Sequence, residues 1–250
     1  MGIREDWNDK ILIFDGGMGS LLQGAGLKPG ELPETWNIKH PEVLVKIHED
    51  YLNAGANIIL SNTFGANRLK YNETAEFNLD EIVDAAMKNA RTAVEHCGRG
   101  YVALDLGPTG RLLKPMGDLD FEEAVSIYTE VVKAGVRGGA DLILIETMSD
   151  TYELKAAVLA AKENSDKPVI CTMTFEPNLR TFTGCTVESY AVTAAGLGAD
   201  AVGINCSSGP DQMGSVVRMM HRAAGDTPIA AKPNAGLPTI TETGEAVYSM

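Results

Sequence analysis

Ala201-Val202-Gly203-Ile204-Asn205-Cys206-Ser207-Ser208-Gly209-Pro210 begins as a short apolar run and breaks into a polar loop closed by glycine and proline. Residues 212–223 then return to helical spacing. Strand, compact polar loop, helix: this unit decides the fold, because it recurs along the chain. Cys206 stands at the hinge between strand and loop. A free cysteine is most often a small buried filler, so its position matters only if the other strands also end in chemistry.

They do. The apolar runs are Ile11-Leu12-Ile13-Phe14, Asn57-Ile58-Ile59-Leu60, Tyr101-Val102-Ala103-Leu104, residues 141–145, residues 168–173, Ala201–Ile204 and Pro228-Ile229-Ala230-Ala231. Helical spacing predicts helices over 41–53, 79–97, 121–138, 151–162, 187–197 and 212–223. Pro41 suits the first turn of its helix and Gly55 its end. The strands read as apolar on both faces, as in a parallel sheet covered by helices. No linker or low-complexity stretch interrupts residues 1–250, which read as one domain. The expected fold class is α/β, a (β/α)8 TIM barrel. A doubly wound dinucleotide fold is disfavoured: Asp15-Gly16-Gly17-Met18-Gly19-Ser20 lacks the third glycine, and no helix is expected directly after it. The count gives seven strands, so strand eight is expected to be missing from this chain.

The chain carries 34 acidic and 21 basic residues, a net charge of -13. That argues against nucleic acid or an anionic membrane as a partner, since both need clustered Lys and Arg. No run is long enough to span a bilayer, and the N-terminus has no apolar signal region. A cytoplasmic location is expected. Cys97, Cys171, Cys185 and Cys206 are widely spaced and form no complete metal motif.

In a barrel, chemistry sits in the loops after the strands. Those loops supply Asp15, Asn62, Asp105, Glu146, Cys206 and Asn234. Asp and Asn are also ordinary caps and turn formers, and Asp150 is expected to cap the helix that follows it. The runs Asp15-Gly16-Gly17, Asn62-Thr63-Phe64-Gly65-Ala66-Asn67-Arg68, Asp105-Leu106-Gly107-Pro108-Thr109-Gly110, Gly203-Ile204-Asn205-Cys206-Ser207 and Pro233-Asn234-Ala235-Gly236 jointly resemble the homocysteine-binding barrel of the homocysteine S-methyltransferases. That module opens cobalamin-dependent methionine synthase. It also makes up the betaine– and S-methylmethionine–homocysteine methyltransferases. Glu146-Thr147-Met148-Ser149-Asp150, with Glu153-Leu154-Lys155-Ala156-Ala157, is most similar to the methionine synthase branch.

The resemblance implies a zinc-dependent enzyme that activates the homocysteine thiol for methyl transfer from methylcobalamin, giving methionine. It implies zinc on three cysteine thiolates, of which Cys206 is the first. The other two belong to a Gly-Gly-Cys-Cys run that this sequence lacks, and they are expected beyond residue 250. Cys206 and Glu146 are the implied catalytic pair, with Glu146 on the substrate ammonium. Asp15, Gly16, Gly17, Ser20, Asn62, Ser207 and Asn234 are the implied substrate contacts. Implied partners are homocysteine and the modules carrying cobalamin and methyltetrahydrofolate. The alternatives are a stand-alone enzyme using betaine or S-methylmethionine, an inactive homocysteine-binding fragment, and a Schiff-base aldolase built on Lys232. Lys232 itself is expected to be a rim or surface lysine.

Overall fold

The computed structural model describes residues 2–72, 74–206, 209–240 and 246–249. Helices α1 (Ile3–Asp9) and α2 (Met18–Ala25) come first, followed by a 3-10 turn at Pro33–Thr35, α3 (Trp36–Lys39) and α4 (Pro41–Ala54). Strand and helix then alternate: β1 (Ile58–Leu60), α5 (Leu79–Cys97), β2 (Tyr101–Leu106), α6 (Phe121–Arg137), β3 (Leu142–Met148), α7 (Thr151–Asn164), β4 (Val169–Met173), α8 (Val187–Gly196), β5 (Ala201–Asn205), α9 (Pro210–Ala224) and β6 (Ile229–Lys232). The chain continues into an antiparallel pair, β7 (Leu237–Ile240) and β8 (Ala246–Ser249).

Strands β1 to β6 form one parallel sheet in sequence order. Strand alternation sorts their side chains onto two faces. Ile59, Val102, Leu104, Ile143, Ile145, Val169, Cys171, Val202 and Ile204 face the helices in the larger core. Ile58, Leu60, Ala103, Leu142, Leu144, Ile170, Ala201 and Ala230 pack together on the other face. One cluster that draws on every strand from β1 to β6 requires a curled sheet. The fold is therefore α/β, a parallel sheet curled as part of a TIM barrel. Ile3 of α1 joins the inner cluster with Trp7 beside it, so the first helix plugs the floor. Each large side chain taken fully from water here contributes about 1.5–3 kcal/mol.

Helix ends follow the sequence signals. Asn78 and Glu81 close a capping box at the start of α5, through bonds of 3.0 and 2.9 Å. Asp150 accepts from the Tyr152 N–H as the cap of α7. Gly55, with φ of 115°, ends α4 in the left-handed conformation that glycine adopts freely.

Three expectations are corrected. Residues 11–14 do not form a strand. Only Phe14 bridges, in parallel, to Ile58, because this segment lies on the open edge of β1, with Ile11 and Ile13 largely in solvent. The sheet thus has six strands and one bridge where the sequence suggests seven strands. A helix does follow Asp15-Gly16-Gly17: α2 starts at Met18, with Gly17 as its cap. The β7–β8 hairpin had no expectation attached to it.

Candidate active site

The inner face of the sheet is apolar at its floor and polar at its rim. Each inner row continues into a polar residue at or near the carboxyl end of its strand: Asp105 on β2, Glu146 on β3, Thr172 on β4, Asn205 on β5 and Lys232 on β6. Asp15 joins them from the segment before α2. Its backbone N–H donates to the Ile58 carbonyl at 2.8 Å, and its Oδ2 accepts from the Leu60 N–H at 2.8 Å.

Three carboxylates share this rim with one lysine. Lys232 Nζ bonds Glu146 Oε2 at 2.5 Å, and both side chains are largely buried. The Lys232 ammonium also lies 5.5 Å from the centre of the Phe14 ring. Burial pulls its pKa down, but the charges of Glu146 and Asp105 more than offset this and hold it above its ordinary value. Burial drives the Asp15 carboxyl up to about 7. Burial, reinforced by the Glu146 charge, raises Asp105 well above the usual carboxylate range. Asp15 Oδ1 and Asp105 Oδ1 are buried and meet no hydrogen-bond partner among the described residues.

Of the two places expected for Lys232, rim or surface, the structure gives the rim. Alternation along β6 puts Lys232 on the same face as Ala230, inside the curl, and not on the surface. Its state is wrong for a Schiff-base nucleophile, which must be a free amine.

Asn205 organises the neighbouring corner. Its Oδ1 accepts from the Thr147 N–H at 3.1 Å and from Thr172 Oγ1 at 2.9 Å. Its Nδ2 donates to Thr147 Oγ1 at 2.6 Å and to Cys206 Sγ at 3.3 Å. Thr147 and Cys206 both have positive φ, 59° and 64°. A β-branched residue there is a true outlier, and such strain costs about 1–3 kcal/mol. The pairing of β3 with β4 slips between Ile145 and Met148, across this kink. The kink turns Glu146 and Thr147 toward the end of β5. The Cys206 thiol is raised above its ordinary pKa by burial and by the Glu146 charge, partly countered by the Thr147 hydroxyl.

The other expected residues divide. Asn234 Nδ2 donates to the Cys206 carbonyl, tying the loop after β6 to the end of β5. Gly16 and Gly17 pass under Tyr51, whose hydroxyl donates to the Gly17 carbonyl at 3.2 Å; a Cβ on Gly16 would sit 2.7 Å from that hydroxyl. Ser20 lies in the first turn of α2. Asn62 is committed to structure: its amide donates to the Pro33 carbonyl at 2.9 Å and to Asn37 Oδ1 at 3.2 Å. Ser207 lies outside the described residues. Asn205 and Thr147 were not among the expected contributors, nor was the pairing of Lys232 with Glu146; alternation from Ala230 to Lys232 is the signal that puts Lys232 on the inner face.

Cys97 ends α5, Cys171 is buried in β4 with its thiol pushed up to about 12, and Cys185 lies in the loop before α8. Among the described residues no three His, Cys, Asp or Glu side chains gather to hold a metal ion. One rim thiol is not a thiolate zinc site, which needs several such ligands. The described residues do not by themselves fit zinc. No helix among them is long and apolar enough to cross a membrane.

A curled parallel α/β sheet with its charged groups collected at the carboxyl ends of the strands has the layout of a barrel enzyme. Residues 12–250 match the family model described as homocysteine S-methyltransferase. The chain belongs to that family. It is 32% identical to methionine synthase of Mycobacterium tuberculosis over 256 residues, 95% of this chain but 21% of that protein. It is 31% identical to methionine synthase of Mycobacterium leprae, over 97% of this chain and 21% of that one. The chain thus spans about a fifth of the length of these curated relatives. The metallated form of the Escherichia coli homocysteine methyltransferase MmuM superposes with a TM-score of 0.83 at 20% identity, covering 94% of this chain and 87% of that one. That likeness speaks for the fold.

Proposed function

We propose that this chain is a homocysteine S-methyltransferase module that binds homocysteine at the rim of the barrel, for conversion to methionine. The observation that carries the reading is the buried carboxylate of Glu146 beside the Cys206 corner. It is a buried carboxylate fixed at the rim near a thiol, suited to hold an amino acid by its ammonium while its sulfur points toward Cys206. A charge-assisted bond from an ammonium to Glu146 orients the substrate. The N–H groups of Gly17 to Ser20, at the start of α2, offer donors to the substrate carboxylate. Asn205 and Asn234 fix the end of β5 from its two sides. Asp15 shapes the turn into α2.

We assign the methyl donor to methylcobalamin carried by a separate module and recharged from methyltetrahydrofolate. This follows the branch that residues 146–150 and 153–157 resemble. Zinc belongs to the same resemblance. The described residues offer it a single rim thiol, Cys206.

The test is methionine formation from L-homocysteine by the full-length protein with methylcobalamin, betaine or S-methylmethionine as donor, alongside Glu146→Gln. Loss of a charge-assisted bond of about 2 kcal/mol raises the homocysteine KM roughly thirtyfold. It leaves the affinity for 4-sulfanylbutanoate, which lacks the amino group, unchanged. Absence of both methionine and homocysteine binding would refute the function. Turnover with betaine or S-methylmethionine but not methylcobalamin would refute the donor.

A further inference from the structure

The carboxylate assigned to the substrate ammonium already holds one. Lys232 Nζ sits on Glu146 Oε2 at 2.5 Å. A second ammonium brought to the same carboxylate would lie against the first, and like charges at that range in a buried site repel. The same rim offers the lysine somewhere to go. Asp15 and Asp105 both lie within electrostatic reach of Lys232, each with a buried Oδ1 that meets no partner among the described residues. Two buried carboxyl oxygens without partners beside a lysine bonded to a third carboxylate give that cation a second position, and its arrival would favour the ionised carboxylates that burial disfavours.

We propose that Lys232 is a built-in competitor for the substrate ammonium, holding Glu146 in the empty site and moving onto Asp15 and Asp105 when an amino acid takes its place. Binding is then an exchange of one ammonium for another on a single carboxylate. The rim is never left with an uncompensated Glu146 charge, whose burial alone would be costly. The exchange also sets specificity. A ligand without an ammonium cannot replace Lys232, because it leaves Glu146 without a cation if the lysine moves. The backbone of Lys232 anchors the device: its carbonyl accepts from the Cys206 N–H at 3.3 Å, so the side chain can swing while the strand end stays fixed.

The proposal rests on the role of Glu146 given above, and its test separates the two. Lys232→Met keeps the apolar stem and removes the competing charge. In the full-length protein, L-homocysteine should bind about tenfold tighter to this variant than to wild type, ~1.4 kcal/mol. Binding of 4-sulfanylbutanoate should not tighten. Lys232→Arg retains a competing cation and should show no gain. If wild type binds homocysteine and Lys232→Met binds it equally or more weakly, the competitor role is overturned and the function stands. If wild type does not bind homocysteine, both fall. A crystal structure of the wild-type protein with L-homocysteine decides the matter without any variant. Lys232 Nζ on Asp15 or Asp105 supports the exchange; Lys232 Nζ still on Glu146 overturns it.

Discussion

Replacing Asp15 by asparagine should stabilise the protein, and by an amount that depends on pH. Asp15 is 8% exposed, and one of its two carboxyl oxygens meets no partner among the described residues. Burial raises its pKa from 3.8 to about 7. Below pH 3.8 the group is protonated in folded and unfolded chains alike, and pH has no leverage through it. Between 3.8 and 7 the folded chain keeps a proton that the unfolded chain has released, so stability falls as pH rises. Above about 7 both forms are ionised and the loss is complete. Each pH unit is worth about 1.4 kcal/mol, so the roughly three-unit shift costs about 4 kcal/mol in full. Asparagine has no such charge, and its side-chain oxygen can still accept from the Leu60 N–H. The comparison is urea unfolding of wild type and Asp15→Asn at pH 5 and pH 8. The variant's advantage should widen by about 3 kcal/mol between them, two of the roughly three units lying in that interval. Taking the difference between the two proteins removes the repulsion common to a chain of net charge -13. An advantage of the same size at both pH values would refute the argument, because it would mean that Asp15 ionises in the folded protein as it does in water.

Two further outcomes follow from the corner at the end of β5. Asn205→Ala deletes the bonds that hold Thr147 and Thr172 and leaves a buried Thr172 hydroxyl and a half-buried Thr147 N–H unmet, which should cost about 3 kcal/mol in urea unfolding; Asn205→Asp, which keeps the acceptor, should recover part of that loss. The described residues offer zinc one thiol, so this 250-residue chain should not retain stoichiometric zinc through dialysis against a chelator, and metal analysis that finds it retained would mean the site is built from other groups.

The rim was legible in the sequence because barrel strands end where apolar residues give way to polar ones, and Asp105, Glu146 and Cys206 each mark such an end. Period-two alternation also fixes which of these residues face inward. For Lys232 it selects the rim over the outer surface, two places that Pro233 leaves open by making the segment look like a departing loop. What escaped reading was set by contacts distant in sequence. Residues 11–14 are as apolar as any strand, yet they pair only through Phe14, because pairing depends on the neighbour available at that edge. Helix α2 was hidden by Gly19 and Gly24, two poor helix formers in eight residues, and it forms where Leu22 is fully buried against α4. The left-handed backbone at Thr147 runs against everything a β-branched residue prefers. Among the described residues it is the Asn205 amide, 58 positions away, that bonds both its N–H and its hydroxyl.

That strained corner and the acid cluster belong to one arrangement. A straight β3 would continue to pair with β4 at Thr147. The kink releases the Thr147 N–H and hydroxyl to Asn205 instead, and so brings the residue after Glu146 against the residue before Cys206. Glu146 and Cys206 are thereby coupled through a single amide, while Lys232 links them from the other side, by its side chain to Glu146 and by its carbonyl to Cys206. A displacement of Lys232 from Glu146 acts on a frame held at both strand ends, so the carboxylate it vacates keeps its place relative to the thiol. The strain at Thr147 and Cys206 therefore has a use in this reading: it fixes the spacing between the group that holds the amino acid head and the group beside its sulfur, independently of which ammonium occupies Glu146.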